Sequence, residues 1–346
     1  MADRSSPKKN RSVTLADVAR AAGVSAKTVS RVINHNDYVS QETREQIERA
    51  IKALGYRPNR MARSLASNRS FIIGLTMPDV TNPFFPEIMR GAEMVAQQHG
   101  YNLLAYNTDL DPQRERDGLA LLEETRVDGI IICTISLSDA DLSAALQHHR
   151  AAVVINRLMP PDGPAGIVRV DYFSAMQKMV QFVLDTGRRR IGYLDVSRSA
   201  YSYSSKERYR GFQAAMERNG LPVNPQYLRR CVASIESSRQ VAIELLTDQP
   251  EIDALVCYND MIAGGALEAC AELGIAVPDQ IAVSGFDDIM FSSVFKVALT
   301  TMHVPKFDLG ARAAQMLFER IDGSSTQSEI VLDAELVIRQ STPPIP

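Results

Sequence analysis

Apolar residues recur at helical spacing over residues 15–54 and in short separate blocks after residue 70, and this change of rhythm divides the chain. Leu15, Val18, Ala19 and Ala22 repeat at three and four positions, so they form one face of a helix. Thr14 and Asp17 have the spacing of a reciprocal N-terminal cap, and Gly23 is a residue that ends helices. Val24 can turn inward, and Ser25 is placed to cap a second helix, Ala26 to Asn34, whose core contacts are Val29, Val32 and Ile33. A third helix follows a cap at Ser40, with Ile47, Ile51 and Leu54 as its apolar stripe and Gly55 as its stop. A helix, a glycine turn and a second helix make the layout of a helix-turn-helix.

From residue 70 onward, apolar blocks alternate with amphipathic stretches, which predicts parallel α/β units. Strands are expected at 71–76, 102–106, 129–133 and 152–155, with helices over 84–99 and 113–124 between them. A second series begins near Val168, with strands at 190–194, 254–256 and 281–285 and helices at 172–186, 209–219, 237–247 and 261–273. These 277 residues exceed one comfortable core, so two doubly wound lobes are predicted. Ligands of open α/β sheets bind beyond the carboxyl ends of the strands. That rule selects Asn82, Phe84 and Phe85 after the first strand, Asp109 after the second, Ser136 after the third and Asn156 after the fourth. Asn259 and Asp287 follow the strands near 256 and 284. Amides and carboxylates converging there suit a polyhydroxylated ligand, and Phe84 and Phe85 suit the apolar face of a sugar ring. Asn259 and Asp287 are equally placed to cap helices.

Charge sharpens the division. Residues 1–69 hold 14 Lys and Arg against 6 Asp and Glu, whereas the remaining 277 carry 24 against 35, for a net charge of −3 overall. A basic module joined to an acidic body has the electrostatic footprint of a nucleic-acid binder. The polar face of the second helix shows Lys27, Thr28, Ser30 and Arg31, donors suited to base edges and phosphates. Pro58 to Ala66 uses mostly helix formers but spans only about nine residues, too few for a stable helix alone in water. With Arg60 and Arg63 it is expected to fold on binding DNA.

Val13-Thr-Leu-Ala-Asp-Val-Ala19, Ala22-Gly-Val-Ser25, Thr28-Val-Ser-Arg-Val-Ile-Asn34, Tyr56-Arg-Pro-Asn59 and Ala62-Arg-Ser-Leu65 give the chain a strong resemblance to the lac repressor family of bacterial transcriptional regulators. The resemblance runs through nearly the whole chain after residue 12. It implies an N-terminal all-α helix-turn-helix DNA-binding domain followed by an α/β two-lobed sensor domain of the periplasmic-binding-protein kind. Ala26, Lys27 and Arg31 then match base-reading positions, with Lys27 and Arg31 suited to guanine acceptors. Ser25, Thr28, Ser30, Asn34, Tyr38, Ser40 and Thr43 match positions that meet backbone phosphate, and Thr14 and Asn59 join the DNA-binding set. Pro58 to Ser67 becomes a hinge helix whose Leu65 wedges into the minor groove. Arg208, three residues before Gly211, matches an effector-holding position together with Asn259 and Asp287, although an ion-pair role is also open to it. Asn156 stands where the family often has an acidic residue. Near Ser234 relatives sometimes carry an aromatic, and none stands here.

The implied domains are a disordered basic tail over 1–12, the DNA-binding domain over 13–57, the hinge over 58–68 and the effector-binding and dimerisation core over 69–346. Within the core, the first lobe covers about 69–167 and 299–323, and the second about 168–298 and 324–346, with a final second-lobe strand over 330–338. The four cysteines lie apart without paired spacing or histidine neighbours, so buried thiols in a reducing compartment are expected and no metal site is. His148 and His149 fall in a surface helical stretch. No secretory segment, membrane-spanning run, phosphate loop or nucleophile–base set is legible, which argues against an exported binding protein and against an enzyme, and no cofactor is expected. Expectation settles on a cytoplasmic homodimer, at the nucleoid when bound. It represses from a palindromic operator under a sugar-like effector, a nucleobase-type corepressor or protein partner being the alternative trigger. The ending Ser341-Thr-Pro-Pro-Ile-Pro346 cannot continue a helix, which favours a dimer over a larger assembly.

Overall fold

A computed structural model describes residues 13–33, 39–56, 67, 69–133, 136–160, 163–197, 203–324 and 327–344. The chain divides into two units between Ser70 and Phe71.

The first unit holds helices α1 (Leu15–Ala21), α2 (Ala26–Ile33) and α3 (Gln41–Leu54). At α1 both halves of the capping box form, with Thr14 Oγ1 accepting from the Asp17 amide and the Asp17 carboxylate accepting from the Thr14 amide. Gly23 takes φ +61°, which lets the chain turn directly from α1 into α2. Val18, Ala19, Ala22, Val29, Val32, Ile47, Ala50 and Tyr56 form the core. Leu54, expected in the stripe of α3, is 38% exposed, and Ala50 takes its place. Leu54 keeps the face of Ile47, seven residues and two turns on, but it is the last residue of α3, where less of the chain is there to cover it.

The second unit contains two parallel sheets. Six strands form the first: β1 (Ile72–Met77), β2 (Asn102–Asn107), β3 (Gly129–Ile132), β4 (Ala152–Ile155), β5 (Gly166–Val170) and β11 (Glu329–Leu332), in the order β11-β5-β4-β3-β1-β2. Four form the second: β6 (Ile191–Val196), β7 (Leu228–Cys231), β8 (Ala254–Cys257) and β9 (Ala282–Ser284), in the order β7-β6-β8-β9. A short antiparallel pair, β10 (Thr301–His303) with β12 (Glu335–Val337), lies beside the end of the second sheet through the bridges Ser284–Thr300 and Asp287–His303. Helices α4 (Phe84–Gln98), α5 (Pro112–Glu124), α6 (Asp139–Leu146) and α11 (Lys306–Ile321) accompany the first sheet. With the second go α7 (Tyr172–Asp185), α8 (Tyr203–Arg218), α9 (Ile235–Asp248) and α10 (Asp260–Glu272).

Three expectations are corrected. A single strand over 330–338 is in fact two, since Glu329–Leu332 pairs with β5 and only Glu335–Val337 continues to β10. Strand β5 lies wholly in the first sheet, so the chain leaves that sheet at Asp171, the cap of α7, rather than at 168. Helix α8 starts at Tyr203, six residues earlier than its apolar pattern suggests, because its first turns carry mostly polar side chains. Strand β7 escapes a hydropathy reading because Arg229 and Arg230 occupy an edge strand that is half open to water. Helix α6 also stands outside the expected elements, and His148 and His149 lie in the turn beyond it.

Crossings between the sheets occur at 170–172, 303–306 and 332–335. Near the second of these, α11 crosses α4 closely enough that a Cβ on Gly310 would stand 1.8 Å from the Ile88 carbonyl oxygen, and one on Gly91 would stand 2.0 Å from that of Phe307. Neither oxygen can swing away, because each is backbone. Gly310→Ala is therefore expected to force the helices apart and destabilise the sensor unit by roughly 1–3 kcal/mol, measured as a lowered urea midpoint; an unchanged midpoint would contradict this packing.

Candidate functional site

In the first unit, α2 buries Val29 and Val32 and leaves Ala26, Lys27 and Arg31 exposed. Lys27 and Arg31 are four residues apart, so they share one helical face. Thr28 and Ser30 are half-buried beside them. Ser25 Oγ accepts from the Thr28 amide at 3.1 Å, and Ser40 Oγ from the Thr43 amide at 3.4 Å, so Thr14, Ser25 and Ser40 all stand at helix N-termini. Backbone N–H groups at such ends favour phosphate. Asn34, Tyr38, Asn59, Arg60, Arg63 and Leu65, and with them the hinge helix, lie outside the described residues.

In the second unit, residues that follow β1, β3, β4, β8 and β9 line one cleft of about 510 Å³, part of it open to solvent. Seven of the eight effector-site candidates line it: Asn82, Phe84, Phe85, Asn156, Arg208, Asn259 and Asp287. Asp109 does not. Strand β2 is the edge of its sheet, and the Asp109 side chain is 62% exposed and paired with Arg114 at 2.7 Å. Ser136 is likewise absent from the lining; its amide donates to Glu115.

At the wall of the cleft Arg208 is buried with Asp287, their Nη2–Oδ1 distance being 2.8 Å. Its Nη1 donates to the Tyr258 carbonyl, and its guanidinium carbon lies 4.0 to 4.4 Å from the ring centres of Phe286, Tyr172 and Tyr258. Burial opposes the charge most strongly, but the Asp287 carboxylate together with Tyr258, Tyr172 and Tyr193 outweighs it and holds the guanidinium pKa above its ordinary value. Arg208 Nε is buried without a partner, the sort of orphan donor that native proteins rarely keep without a use. Each cleft asparagine also spends its Oδ1 on a backbone amide: Asn82 on Phe84, Asn156 on Val170 and Asn259 on Ile262, all at 3.0 Å. So Asn259 both caps α10 and lines the cleft, and Arg208 is both an ion-pair partner and a cleft residue. The structural roles the sequence left open to these two residues are thus both present, at positions that also line the cleft.

Below the cleft, Asp287 and Asp288 adopt φ +110° and +51°, sparsely populated backbone for residues with a side chain. Lys306, itself buried, holds them by donating from Nζ to the carbonyls of Asp287, Asp288 and Val304 at 2.7, 2.8 and 3.3 Å. Burial pushes against ionisation of Asp288, but hydrogen bonds from Arg339 and His303 win and keep its carboxyl below the usual carboxylate range.

The family description "Bacterial regulatory proteins, lacI family" matches residues 14–59, and "Periplasmic binding proteins and sugar binding domain of LacI family" matches residues 70–338. The chain belongs to the LacI family. Among relatives it is 34% identical over 330 residues to the HTH-type transcriptional regulator RegA of Clostridium saccharobutylicum, covering 95% of this chain and 99% of RegA. It is 33% identical over 329 residues to the HTH-type transcriptional repressor PurR of Histophilus somni, with 95% and 98% covered. Its fold superposes on the lac repressor dimer bound to operator and the anti-inducer ONPF with a TM-score of 0.86, at 28% identity over 96% of this chain and 99% of that one. A complex of the regulator CelR with cellobiose matches at 0.72 and 28% identity, over 95% and 99%. Like these LacI-family proteins, the chain is a transcriptional regulator with a ligand-binding domain and not an enzyme.

Sequence reasoning missed Tyr172, Ser204 and Tyr258, which complete the cleft of this LacI-family chain. Ser204 stands four residues before Arg208 on one helical face, a signal that depends on α8 beginning at Tyr203 and not at Tyr209. No ring stands at Ser234, which caps α9 instead, and Tyr172 and Tyr258 supply aromatic surface from other elements. The four cysteines are free and buried. Among the described residues no cluster of His, Cys, Asp and Glu could hold a metal, and no helix is long and apolar enough to cross a membrane.

Beside Asn259, the fully buried Asp260 carboxylate receives Thr301 Oγ1 at 2.6 Å, Ser292 Oγ at 2.7 Å and the Ile289 amide at 2.9 Å. Burial first, and the charge of Asp287 second, outweigh these donors and push its pKa from 3.8 to about 7. Between those values the native state holds a proton that the unfolded chain has released, so stability falls as pH rises across that window and levels off above it. Asp260→Asn cannot titrate and is expected to flatten this fall by up to ~1.4 kcal/mol per pH unit, read from urea unfolding between pH 5 and 8. Equal slopes for variant and wild type would show that Asp260 ionises normally.

Proposed function

We propose that this LacI-family regulator is a repressor that binds a palindromic operator as a homodimer and answers to a small, sugar-like effector in the cleft of its sensor unit. The observation that carries the reading is the cleft itself. Polar side chains from both sheets surround a buried Arg208–Asp287 pair, in a chain whose other unit exposes Lys27 and Arg31 on one helical face. Phe84 and Phe85, with ring centres 5.2 Å apart, suit the apolar face of a sugar. The additional rings of Tyr172 and Tyr258 favour, as a second reading, a flat nucleobase-type corepressor. Pairing of two chains follows from the short reach of a single reading helix, since helix-turn-helix proteins gain specificity by occupying two half-sites. Met290, Phe291 and Val294, 67%, 39% and 72% exposed on one segment, give the sensor unit apolar surface suited to a partner copy.

In this reading Ala26, Lys27 and Arg31 meet base edges, and Thr14, Ser25, Thr28, Ser30, Ser40 and Thr43 meet phosphate. Asn34, Tyr38, Asn59, Arg60 and Arg63 add contacts, and Leu65 enters the minor groove. Arg31→Ala is expected to weaken operator binding by roughly 1–3 kcal/mol while leaving random-sequence DNA nearly unaffected in the same salt. Equal loss on both DNAs would assign Arg31 to phosphate instead.

Thermal-shift screening of the full chain against sugars, sugar acids, sugar phosphates and nucleobases, followed by operator titration with each hit, tests the effector half. A sugar that raises the melting temperature and weakens operator binding is the expected result, whereas a nucleobase that strengthens it would establish the corepressor reading. Stabilisation by none of the four classes would remove the small-molecule trigger.

A further inference from the structure

We propose that Asp128 and Phe71 form an anchor that positions the DNA-binding unit, by fixing the point at which the chain leading from it enters the first lobe. The inference rests on the reading of the protein as a dimer on a palindromic operator. It assigns a role to two residues at the amino ends of β3 and β1, the opposite end of those strands from the effector cleft.

Phe71 opens the sensor unit and takes φ +56°, a left-handed backbone that a bulky side chain rarely adopts. Such strain persists only where the surroundings hold it in place, and here both peptide groups flanking Phe71 are fixed. Its amide donates to Asp128 Oδ2 at 2.9 Å, and its carbonyl accepts from the Asn102 amide at 3.0 Å. Asp128 is itself buried, just ahead of β3, and its own amide donates to the Ile72 carbonyl at 2.8 Å. One residue thus clasps the start of β1 twice, by carboxylate and by amide.

Glycine would hold the same turn without cost, so the side chain at 71 needs its own reason. Its ring is half-buried against Tyr101, with ring centres 5.3 Å apart, and Tyr101 meets Phe318 edge-on at 5.0 Å. His99 stacks on Phe318 at 4.1 Å. Phe318 lies in the last turn of α11, the helix that begins at the Lys306 crossing between the lobes. Entry point, ring cluster and returning helix are therefore one packed body. A plain linker needs neither a left-handed phenylalanine nor a buried carboxylate to receive it, whereas a tether that must follow the first lobe without slack needs both.

Slack matters because a palindrome is read by two units at a fixed spacing. Once one unit is seated, a loosely held tether lowers the effective concentration of the other at its half-site. Random-sequence DNA imposes no such spacing, so binding to it is indifferent to the anchor.

Anisotropy titration of the full chain tests this, with a palindrome that the wild type enriches from a random duplex pool set against a random-sequence duplex. Asp128→Ala should weaken binding to the palindrome about ten-fold or more, and to the random duplex by less than about two-fold. Asp128→Asn, whose amide oxygen can still accept from Phe71, should recover most of that loss. Phe71→Gly keeps the left-handed turn but removes the ring, and it should weaken the palindrome comparably, which leaves a second case to decide should Asp128→Ala misfold. Palindrome affinity within about two-fold of wild type in the folded variants would overturn the anchor, as would equal loss on the two duplexes. Enrichment of no palindrome by the wild type would instead sink the operator reading, and the anchor with it.

Discussion

The buried pair of Arg208 and Asp287 is the interaction on which the sensor unit turns. Arg208 belongs to α8 and Asp287 to the loop after β9, so the pair ties a helix to a strand end across 79 positions of sequence. Two charges taken this far from water repay their desolvation only when geometry and further hydrogen bonds are good, and losing either partner leaves the other stranded at a cost of about 3–5 kcal/mol. Rings on the guanidinium faces and the Tyr258 carbonyl at its edge supply what the carboxylate does not. The same Asp287 is held in strained backbone by Lys306, the first residue of the helix that returns to the first sheet. A contact made in the cleft is thus one residue away from a crossing between the lobes.

Asp288 continues the chain of dependence. Its two oxygens take Arg339, beyond β12, and His303, at the end of β10, at 2.8 and 2.9 Å. The loop after β9, the crossing at 303–306 and the segment beyond β12 therefore share one hydrogen-bonded knot, in which Lys306 is spent on carbonyls and Asp288 on two basic side chains. Such a knot resists gradual deformation, and lobes joined through it are disposed to move as bodies about the crossings.

Local signals in the sequence were the readable ones. Thr14 with Asp17, Gly23, Ser25 and Ser40 declare their caps and turns within four residues, and the structure uses each as its neighbours demand. The carboxyl-end rule brought Asn82, Asn156, Asn259 and Asp287 to one cleft, because it depends on strand direction, which hydropathy blocks reveal. It failed at Asp109 because edge position is a property of strand order, and order is set by pairing between distant segments. Tyr172 and Tyr258 were hidden for a related reason: each reads as an ordinary core residue beside its own strand or helix, and only the packing of α7, α8 and the end of β8 within the second lobe makes them neighbours of Arg208. The division of 329–337 between two sheets was likewise invisible, since Val331 and Val337 belong to similar apolar runs that pair with different partners.

A ligand can shift an equilibrium only by the difference in its affinity for the two states. Here the cleft walls come from both lobes: Asn82, Phe84, Phe85 and Asn156 from the first, Ser204, Arg208, Tyr258, Asn259 and Asp287 from the second. Any molecule that engages both sets binds one lobe spacing better than another, whatever its identity. Typical coupling energies of about 1–3 kcal/mol need no more than one or two hydrogen bonds that survive in one spacing and break in the other. Polar side chains stand on both walls, among them Asn82 and Asn156 on the first lobe and Asn259 on the second, so a ligand that spans the cleft has such bonds to make or lose. Because coupling is reciprocal, DNA that favours one spacing must change effector affinity by the same factor. On the proposed reading the cleft and the DNA-binding unit would answer to one lobe equilibrium, and the hydrogen bonds of Lys306 to the Asp287 and Asp288 carbonyls join the cleft wall to a crossing between the lobes.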